Sequence, residues 1–222
     1  MRSPINVERE KQLAAEAAAQ LVEDGMHVGL GTGSTVAYLL PALAVRRLEL
    51  RCVATSPATE QAARQLGIEV ESFRGAGALT RLDIAIDGAD QVAPSGWLVK
   101  GGGGAHTREK QVAAAADRFV VIVSSDKLVE TLAPPVPLEL LEFGLAATLE
   151  RLGTVRLRDA PESPDAGAIA DFTGAFEDPA ELAARLSSTV GVVAHGLFAP
   201  ELVSDVVVAR GEQVERIAVV ER

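Results

Sequence analysis

The sequence predicts an α/β fold: a doubly wound, Rossmann-like parallel sheet with an inserted, smaller ferredoxin-like α+β subdomain. Strand-like apolar segments alternate with helix-like segments from Val7 to Val123, the order that produces a parallel sheet. The run Phe119–Val123 is apolar throughout, as expected for a strand that helices cover on both faces. Between Val136 and His195 the order becomes β-α-β-β-α-β, which is typical of a ferredoxin-like module.

The first part of the chain supplies the elements of the parallel sheet. Gly25 is a natural stop for an alanine-rich first helix. Ser56 and Pro57 open another helix with a capping serine and a proline at the first helical position. Pro41 predicts a kink or restart inside the second helix. Helices are predicted over residues 7–24, 35–46, 56–67 and 107–116, and strands over residues 27–31, 48–54, 68–70, 82–86 and 119–123.

The rest of the chain supplies the insert and a return to the first sheet. Its strands are predicted over residues 136–140, 154–158, 168–172 and 190–195, and its helices over residues 142–152 and 179–186. Residues 205–209 and 214–220 predict a hairpin around Gly211, which has no helix of its own and is expected to rejoin the large sheet. We therefore expect a catalytic domain of residues 1–131 plus 204–222, and a lid or oligomerisation domain of residues 132–203.

Composition and charge narrow the class of protein. The 222 residues are 48% hydrophobic and 23% charged, which is typical of a globular chain with a buried core. The net charge of −10 argues against nucleic-acid and anionic-membrane partners, which require a positive surface. Cys52 is the only cysteine, so no internal disulfide can form, and no segment has the length and hydrophobicity of a membrane span or a leader. We expect a cytoplasmic protein.

A glycine-rich loop at residues 29–35 is the first candidate binding site. It follows a predicted strand and precedes a predicted helix, so its backbone N–H groups and the helix N-terminus favour a phosphate. It lacks the third glycine of a dinucleotide-binding loop and the Gly-Lys-Ser/Thr ending of a P-loop. A simple tight turn is the alternative. The candidate phosphate-binding residues here are Thr32, Gly33, Ser34 and Thr35. Lys11 of the first helix could reach the loop, although a solvated surface lysine is nearly as good a reading.

A second group of residues has the chemistry for proton transfer. Asp87 and Asp90 follow a buried strand, and paired acids can differ in proton affinity, so that one donates while the other accepts. Lys100 precedes four glycines, which predicts close backbone approach to a ligand or a mobile lid. Glu109 falls in the first turn of the next helix, where the helix dipole should keep it ionised, as a general base requires. Structural roles stay open, since aspartate also caps turns and acids are favoured at helix starts.

The positions of these candidate residues along the chain predict that they form one site. Each candidate segment lies at or beyond the C-terminal end of a predicted strand, and parallel strands bring those ends to one edge of the sheet, where ligands bind. Lys127, which follows the strand at residues 119–123, belongs to the same edge. The three histidines lack metal-ligand spacing and there is no Cys/His cluster, so we expect no metal. These segments are residues 32–35, 55–59, 87–90, 100–109 and 124–127.

The same residues resemble those of type A ribose-5-phosphate isomerase. The likeness runs in order along nearly the whole chain, and the joint occurrence of its motifs is highly specific. Two departures are visible: Gln91 stands where the family usually has glutamate, and residues 104–106 replace a more apolar stretch. The matching segments are residues 29–35, 87–90, 100–103, 107–110, 124–127, 190–193 and 196–198.

The resemblance implies interconversion of ribose 5-phosphate and ribulose 5-phosphate through an enediolate, in the non-oxidative pentose phosphate pathway, with neither metal nor cofactor. It implies that Glu109 moves a proton between C2 and C1 and that Lys100 stabilises the oxygen that becomes negative. Asp87 and Asp90 would serve ring opening and hydroxyl proton transfer. The implied substrate-binding residues are Thr32, Gly33, Ser34, Thr35, Lys11, Lys127, Gly101 and Gly102. The insert suggests a homodimer, with a tetramer as the other possibility.

Two alternatives stay open on the sequence. The first is another sugar-phosphate enzyme, such as an amino-sugar-phosphate deaminase or a lactonase. The second is a non-enzymatic sugar-phosphate sensor domain of a transcription regulator. The sensor would need a basic helix-turn-helix segment, which this acidic chain lacks.

Overall fold

The fold, seen in a computed structural model that describes residues 4–219, is built on three sheets, the largest of seven strands. The strands are β1 (His27–Leu30), β2 (Arg51–Ala54), β3 (Val70–Glu71), β4 (Leu82–Asp87), β5 (Gln91–Val92), β6 (Leu98–Val99), β7 (Ala116–Ser124), β8 (Val136–Leu140), β9 (Val155–Leu157), β10 (Ala168–Phe172), β11 (Val192–His195), β12 (Leu197–Phe198), β13 (Asp205–Arg210) and β14 (Gln213–Ala218). The helices are α1 (Pro4–Ala19), α2 (Val36–Ala44), α3 (Pro57–Gln65), α4 (His106–Ala115), α5 (Leu145–Leu152) and α6 (Pro179–Ser188).

The large sheet has the order β14-β13-β7-β4-β1-β2-β3 and is parallel except for β14. Side chains of β7 alternate between two buried clusters. Val120 and Ile122 pack with α1 and α2, whereas Val121 and Val123 pack with residues of α4. Helices therefore cover both faces, which confirms the doubly wound fold. The pairing of β13 with β7 confirms that the chain returns to this sheet after the insert.

The insert forms its own four-stranded sheet in the order β11-β8-β10-β9, with every pair antiparallel. Helices α5 and α6 place Leu152, Leu182 and Leu186 in its buried cluster. This order and the two helices are those of a ferredoxin-like subdomain, as predicted. Leu82–Asp87 of the first sheet and Val136–Leu140 of the second therefore belong to separate layers with separate cores.

A third, small sheet, in the order β12-β6-β5, was not predicted. Its strands have two residues each, too short to give a periodic signal. Strand β12 follows the insert and pairs with β6, and the Lys100 backbone N–H donates to the Gly196 carbonyl at 2.8 Å. The small sheet thus connects the subdomain to the segment that carries Lys100.

Several helices and strands begin or end at other residues than predicted. Helix α1 ends at Ala19, not Asp24, because turns occupy the last residues before β1. Helix α2 runs through Pro41 without a restart. Strand β2 begins at Arg51, three residues after the predicted start at Leu48, and the predicted strand end at Val220 lies outside the described residues. None of the helices within residues 4–219 combines the length and hydrophobicity needed to cross a membrane.

Candidate active site

The C-terminal edge of the large sheet opens into a cavity of about 260 Å³. All the predicted site residues line it except Asp87, and Gly88, Ala89 and Gly103 join them without having been predicted. The lining residues are Lys11, Thr32, Gly33, Ser34, Thr35, Gly88, Ala89, Asp90, Lys100, Gly101, Gly102, Gly103, Glu109 and Lys127. The loops after β1, β4 and β7 therefore meet as expected for the carboxyl ends of parallel strands.

One side of the cavity is built from the glycine-rich loop between β1 and α2. The Thr32 backbone N–H donates to Asp87 Oδ1 at 3.0 Å, and the Thr32 and Thr55 hydroxyl oxygens lie 2.7 Å apart. Gly33 has φ of +119°, a conformation that favours glycine. Ser34 is exposed on this loop, directly before the N-terminus of α2. Hydroxyl groups and a helix N-terminus suit a phosphate.

Two lysines add positive charge to the same cavity. Lys11 comes from α1 and lies 2.5 Å from Glu8 Oε1, which fixes its direction. Lys127 comes from the short turn after β7, and its side chain is 35% exposed. Both lysines were predicted, and their positions complete a cationic, hydroxyl-rich lining.

The buried carboxylate of Glu10 connects the elements that carry these two lysines, a contact that the sequence did not reveal. Glu10 is 1% exposed and accepts from the Ser125 backbone N–H at 2.9 Å and from the Ser125 hydroxyl at 2.6 Å. Its other oxygen accepts from the Gly211 N–H at 2.7 Å. A glutamate between Arg9 and Lys11, in a charged stretch of helix, gives no sign of its burial. Helix α1, the turn after β7 and the β13–β14 hairpin are thus joined at one residue.

A buried ion cluster lies at the other side of the cavity. Lys100 Nζ is 2.8 Å from Asp87 Oδ2 and 3.2 Å from Glu109 Oε2, and it also donates to the Gly88 carbonyl. The side chains of Lys100, Asp87 and Glu109 are 3%, 4% and 5% exposed. Strand β6 and helix α4 bring the lysine and the glutamate together, while Asp87 ends β4. The predicted acids and ammonium therefore do meet.

Asp87 lies behind Lys100 and does not line the cavity. Its Oδ1 accepts from the backbone N–H groups of Thr32 and Gly88, at 3.0 and 2.7 Å, and its Oδ2 faces Lys100. A Cβ on Gly31 would come within 2.1 Å of the Asp87 carboxylate, so glycine is required there. Asp87 thus holds the phosphate-side loop and the ammonium in fixed relation to each other.

Burial and the charges of its members together set the pKa values of this cluster. Desolvation, followed by repulsion from Asp87, raises the pKa of Glu109 to about 8 despite the nearby Lys100 ammonium. Desolvation also raises the pKa of Asp87. For Lys100, burial acts to lower the pKa, but Asp87 and Glu109 together raise it above its ordinary value. The helix N-terminus was expected to keep Glu109 ionised; burial acts in the opposite direction and raises the pKa of this carboxyl instead.

Asp90 and the glycine run form the solvent-facing wall. Asp90 Oδ2 accepts from the Gly102 N–H at 2.8 Å, and a Cβ on Gly102 would lie 2.9 Å from Asp90 Oδ1. Gly101 has φ of +105°, and a Cβ there would lie 2.7 Å from His106 Nδ1. The backbone of the glycine run comes close to Asp90 and His106, and its predicted approach to a ligand stays a prediction.

The two departures from the family pattern have structural explanations. The Gln91 side chain donates to the Ala133 carbonyl and accepts from the Ala133 N–H, both at 2.8 Å. His106 is fully buried beneath Gly101, and desolvation lowers its pKa to about 3, so it stays neutral. Neither residue lines the cavity.

Comparison with known proteins identifies this arrangement. The family model for ribose 5-phosphate isomerase A (phosphoriboisomerase A) matches residues 51–213. The chain belongs to this family. The ribose-5-phosphate isomerase A of Caulobacter vibrioides is 42% identical, with 96% of this chain and 99% of the relative covered. That of Halobacterium salinarum is 46% identical, with 85% and 87% covered.

Solved structures agree with the family assignment. The ribose 5-phosphate isomerase A of Neisseria gonorrhoeae has a TM-score of 0.90 at 29% identity, with 96% of this chain and 98% of that chain covered. A D-ribose-5-phosphate isomerase in complex with phospho-erythronic acid has a TM-score of 0.89 at 32% identity, with 96% and 99% covered. Within residues 4–219 of this family member, no group of three or more histidine, cysteine or acidic side chains is arranged to hold a metal ion.

Proposed function

We propose that the chain interconverts D-ribose 5-phosphate and D-ribulose 5-phosphate through an enediolate, with Glu109 carrying the proton between C2 and C1. Family membership makes the chain an aldose–ketose isomerase of the non-oxidative pentose phosphate pathway. One observation carries the proposed mechanism: the Lys100 ammonium lies 3.2 Å from Glu109 Oε2 at the edge of a cavity whose other side has hydroxyls and two lysines. Base, electrostatic partner and phosphate ligands thus share one small cavity.

Glu109 and Lys100 divide the work of proton abstraction. Ionised Glu109 removes the C2 proton of the open-chain aldose, and the negative charge that develops on the C1 oxygen faces the Lys100 ammonium. Glu109 then returns the proton to C1, while the proton of the C2 hydroxyl passes to the C1 oxygen, so that C2 becomes the ketone and C1 a hydroxymethyl group. A carboxylate with a pKa of about 8 is a stronger base than an ordinary glutamate, which favours this step.

The two aspartates have different places in this scheme. Asp90 lines the cavity and is exposed, so it is placed to exchange protons with substrate hydroxyls and to assist ring opening. The family resemblance gives Asp87 a share in those transfers. Its burial behind Lys100 instead supports a role in keeping Lys100 positively charged and fixed in direction.

The phosphate is proposed to bind between the Thr32–Thr35 loop and the two lysines. The α2 N-terminus and the loop N–H groups favour an anion, and Lys11 and Lys127 supply charge. Gly101 and Gly102 form the wall next to the sugar. This placement leaves C1 and C2 at the Glu109 side of the cavity.

The test is a coupled assay for ribulose 5-phosphate formation, run with and without a chelator. Glu109→Gln should retain substrate binding and lose at least roughly two orders of magnitude in kcat, since the amide cannot accept the proton. Near-normal turnover in that variant removes Glu109 from its role. Ammonia release from glucosamine 6-phosphate by the wild type would favour a deaminase instead.

We further propose that residues 132–203 form an oligomerisation domain and that the chain is a homodimer. Strand β11 is an edge strand of the insert's sheet, and an unpaired edge with apolar neighbours is a ready contact for a second copy. Phe143 is 96% exposed and Val190 is 76% exposed on the connections beside this edge. Leu141, whose N–H donates to the Gly191 carbonyl, is 53% exposed.

Sedimentation analysis of Phe143→Glu tests this. A dimeric wild type and a monomeric variant support the interface, and a monomeric wild type rejects it. A tetramer that becomes a dimer on substitution would assign the patch to one of two interfaces. We also propose a cytoplasmic location, since a single cysteine fits a reducing compartment.

A further inference from the structure

Arg158, directly after β9 in the insert, contacts the active-site glycine run. Its Nη1 donates to the carbonyl oxygens of Gly101 at 3.1 Å and Gly102 at 3.0 Å. The Arg158 side chain is only 19% exposed. Both glycines line the catalytic cavity, whereas Arg158 does not. A residue of the ferredoxin-like subdomain therefore binds the backbone of the active-site glycine run from outside the cavity.

Asp171 fixes the direction of this guanidinium. Arg158 Nε donates to Asp171 Oδ2 at 3.0 Å, and Nη2 donates to Oδ1 at 2.6 Å. Asp171 lies on β10, and its side chain is 5% exposed. A bidentate pair of this kind sets the plane of the guanidinium, which leaves Nη1 directed at the glycine run. The pair with Asp171 on β10 therefore preorganises the contact.

The contact orients peptide groups that face the cavity. In a trans peptide the carbonyl and the N–H point in opposite directions, so carbonyls held by Arg158 direct the next N–H groups away from it. The Gly102 N–H follows this rule and donates to Asp90 Oδ2 at 2.8 Å. The Gly103 N–H belongs to the second held peptide and is directed to the same side, where Gly103 lines the cavity. Four successive glycines would otherwise sample many conformations.

We infer that Arg158 is a positioning residue for catalysis: with Asp171 it holds the Gly101–Gly103 backbone so that Asp90 and the loop amides meet the substrate correctly. This inference rests on the proposed isomerase mechanism. It also gives the insert a function in the chemistry, in addition to any role in oligomerisation. The catalytic groups themselves, Glu109 and Lys100, lie outside the contact.

Arg156 supplies a matched control. It lies on β9, two residues before Arg158; its Nη2 is 3.6 Å from Asp171 Oδ2, and its side chain is 74% exposed. Within the described residues it makes no hydrogen bond to the glycine run. Arg156→Met therefore removes an arginine and an Asp171 ion pair while leaving the loop contact in place.

Kinetics on the full-length protein provide the first test. Arg158→Met should lower kcat for ribose 5-phosphate at least about tenfold, with most of the loss in kcat and not in KM, because small displacements of positioned groups cost rate. Arg156→Met should stay within about twofold of wild type. Arg158→Lys should recover little, since an ammonium cannot bond Asp171 in bidentate fashion and both carbonyls at once. Equal losses in the two methionine variants, or full activity in Arg158→Lys, would overturn the inference.

Hydrogen–deuterium exchange separates this inference from the proposed reaction. In unliganded protein, peptides that cover residues 100–104 should exchange faster in Arg158→Met and in Asp171→Asn than in wild type or Arg156→Met. Exchange elsewhere in the catalytic domain should stay unchanged, which excludes general unfolding. Unaltered exchange at residues 100–104 would contradict the positioning role even if activity fell. If the wild type does not isomerise ribose 5-phosphate, the proposed function is rejected. Hydrogen–deuterium exchange would still test whether Arg158 holds the glycine run.

Discussion

Lys100 Nζ and Glu109 Oε2 lie 3.2 Å apart, and both side chains are almost completely buried. A carboxyl group so close to an ammonium would ordinarily have a lowered pKa, yet burial and the neighbouring Asp87 raise the pKa of Glu109 to about 8. The lysine stays protonated because two carboxylates raise its pKa. The pair therefore combines a protonated electrostatic partner with a base that titrates near neutral pH.

The first prediction concerns the pH dependence of kcat/KM. Glu109 must be ionised to accept the C2 proton, so activity should rise with pH and level off above an apparent pKa of about 8. Asp87→Asn removes a negative charge that raises the pKa of Glu109, so the rising limb should move to lower pH. Initial rates at limiting ribose 5-phosphate, from about pH 6 to about pH 9, measure both effects.

Asp83→Asn is the control for that shift. Asp83 lies on the same strand but accepts from the His27 backbone N–H at the opposite edge of the sheet. Its substitution should leave the limb in place. A limb that stays fixed in Asp87→Asn, or a flat profile in wild type, contradicts the assignment.

The second prediction concerns the shape of the cation. Lys100→Arg should lower kcat at least tenfold even though the positive charge is kept. The ammonium contacts Asp87, Glu109 and the Gly88 carbonyl within a site that leaves it 3% exposed, and a larger planar guanidinium cannot reproduce those directions. Steady-state assays measure the loss.

Lys110→Arg provides a comparison for the same exchange on a neighbouring lysine. Lys110 donates to the carbonyls of His195 and Leu197 and does not line the cavity. The Lys110→Arg substitution should change the stability of the fold more than kcat. A change of less than twofold in the Lys100→Arg variant would mean that charge alone is sufficient.

The sequence predicted which residues meet because loops after parallel strands share one edge of the sheet. That rule brought Thr32, Asp90 and Glu109 together, although they lie on different segments. It could not predict that Asp87 faces inward, because one residue of register at the end of β4 decides whether a carboxylate lines the cavity or supports it. Nor could it predict the burial that raises the pKa of Glu109.

The sequence likewise could not predict the long-range contacts between the insert and the active site. The two-residue strands β5, β6 and β12 have no periodicity, and the pairing of Lys100 N–H with Gly196 arises only when both sheets are assembled. Arg158 belongs to no sequence motif, because its contacts with the active site are to backbone carbonyls. Sequence patterns of the ferredoxin-like module were sufficient for its topology but not for the point at which it touches the active site.

The third prediction concerns the phosphate end of the cavity. Lys127→Met should raise KM for ribose 5-phosphate and weaken competitive inhibition by inorganic phosphate, each about tenfold, with kcat little changed. A hydrogen bond to a charged group contributes about 1.5–3 kcal/mol, and the 35% exposure of the Lys127 side chain places the expected effect at the lower end.

Arg81→Met is the matched loss of a positive charge for this measurement. Arg81 precedes β4 at the opposite edge of the sheet, where it pairs with Asp117 and is 76% exposed. It should leave the inhibition constant for phosphate unchanged. If both variants weaken phosphate equally, general electrostatic attraction and not a specific ligand is responsible.

The last prediction tests the contact between the two halves of the site. Gly31→Ala should destabilise the fold by about 1–3 kcal/mol and lower kcat at least tenfold, because the new methyl group would lie 2.1 Å from the Asp87 carboxylate. Asp87 cannot move aside without releasing Lys100, 2.8 Å away, and the Thr32 backbone N–H. Gly77→Ala is the control, since a Cβ there meets nothing within 4 Å, and it should change neither quantity. Thermal unfolding and steady-state rates measure the pair, and wild-type behaviour in Gly31→Ala would show that Asp87 is free to shift without consequence for Lys100.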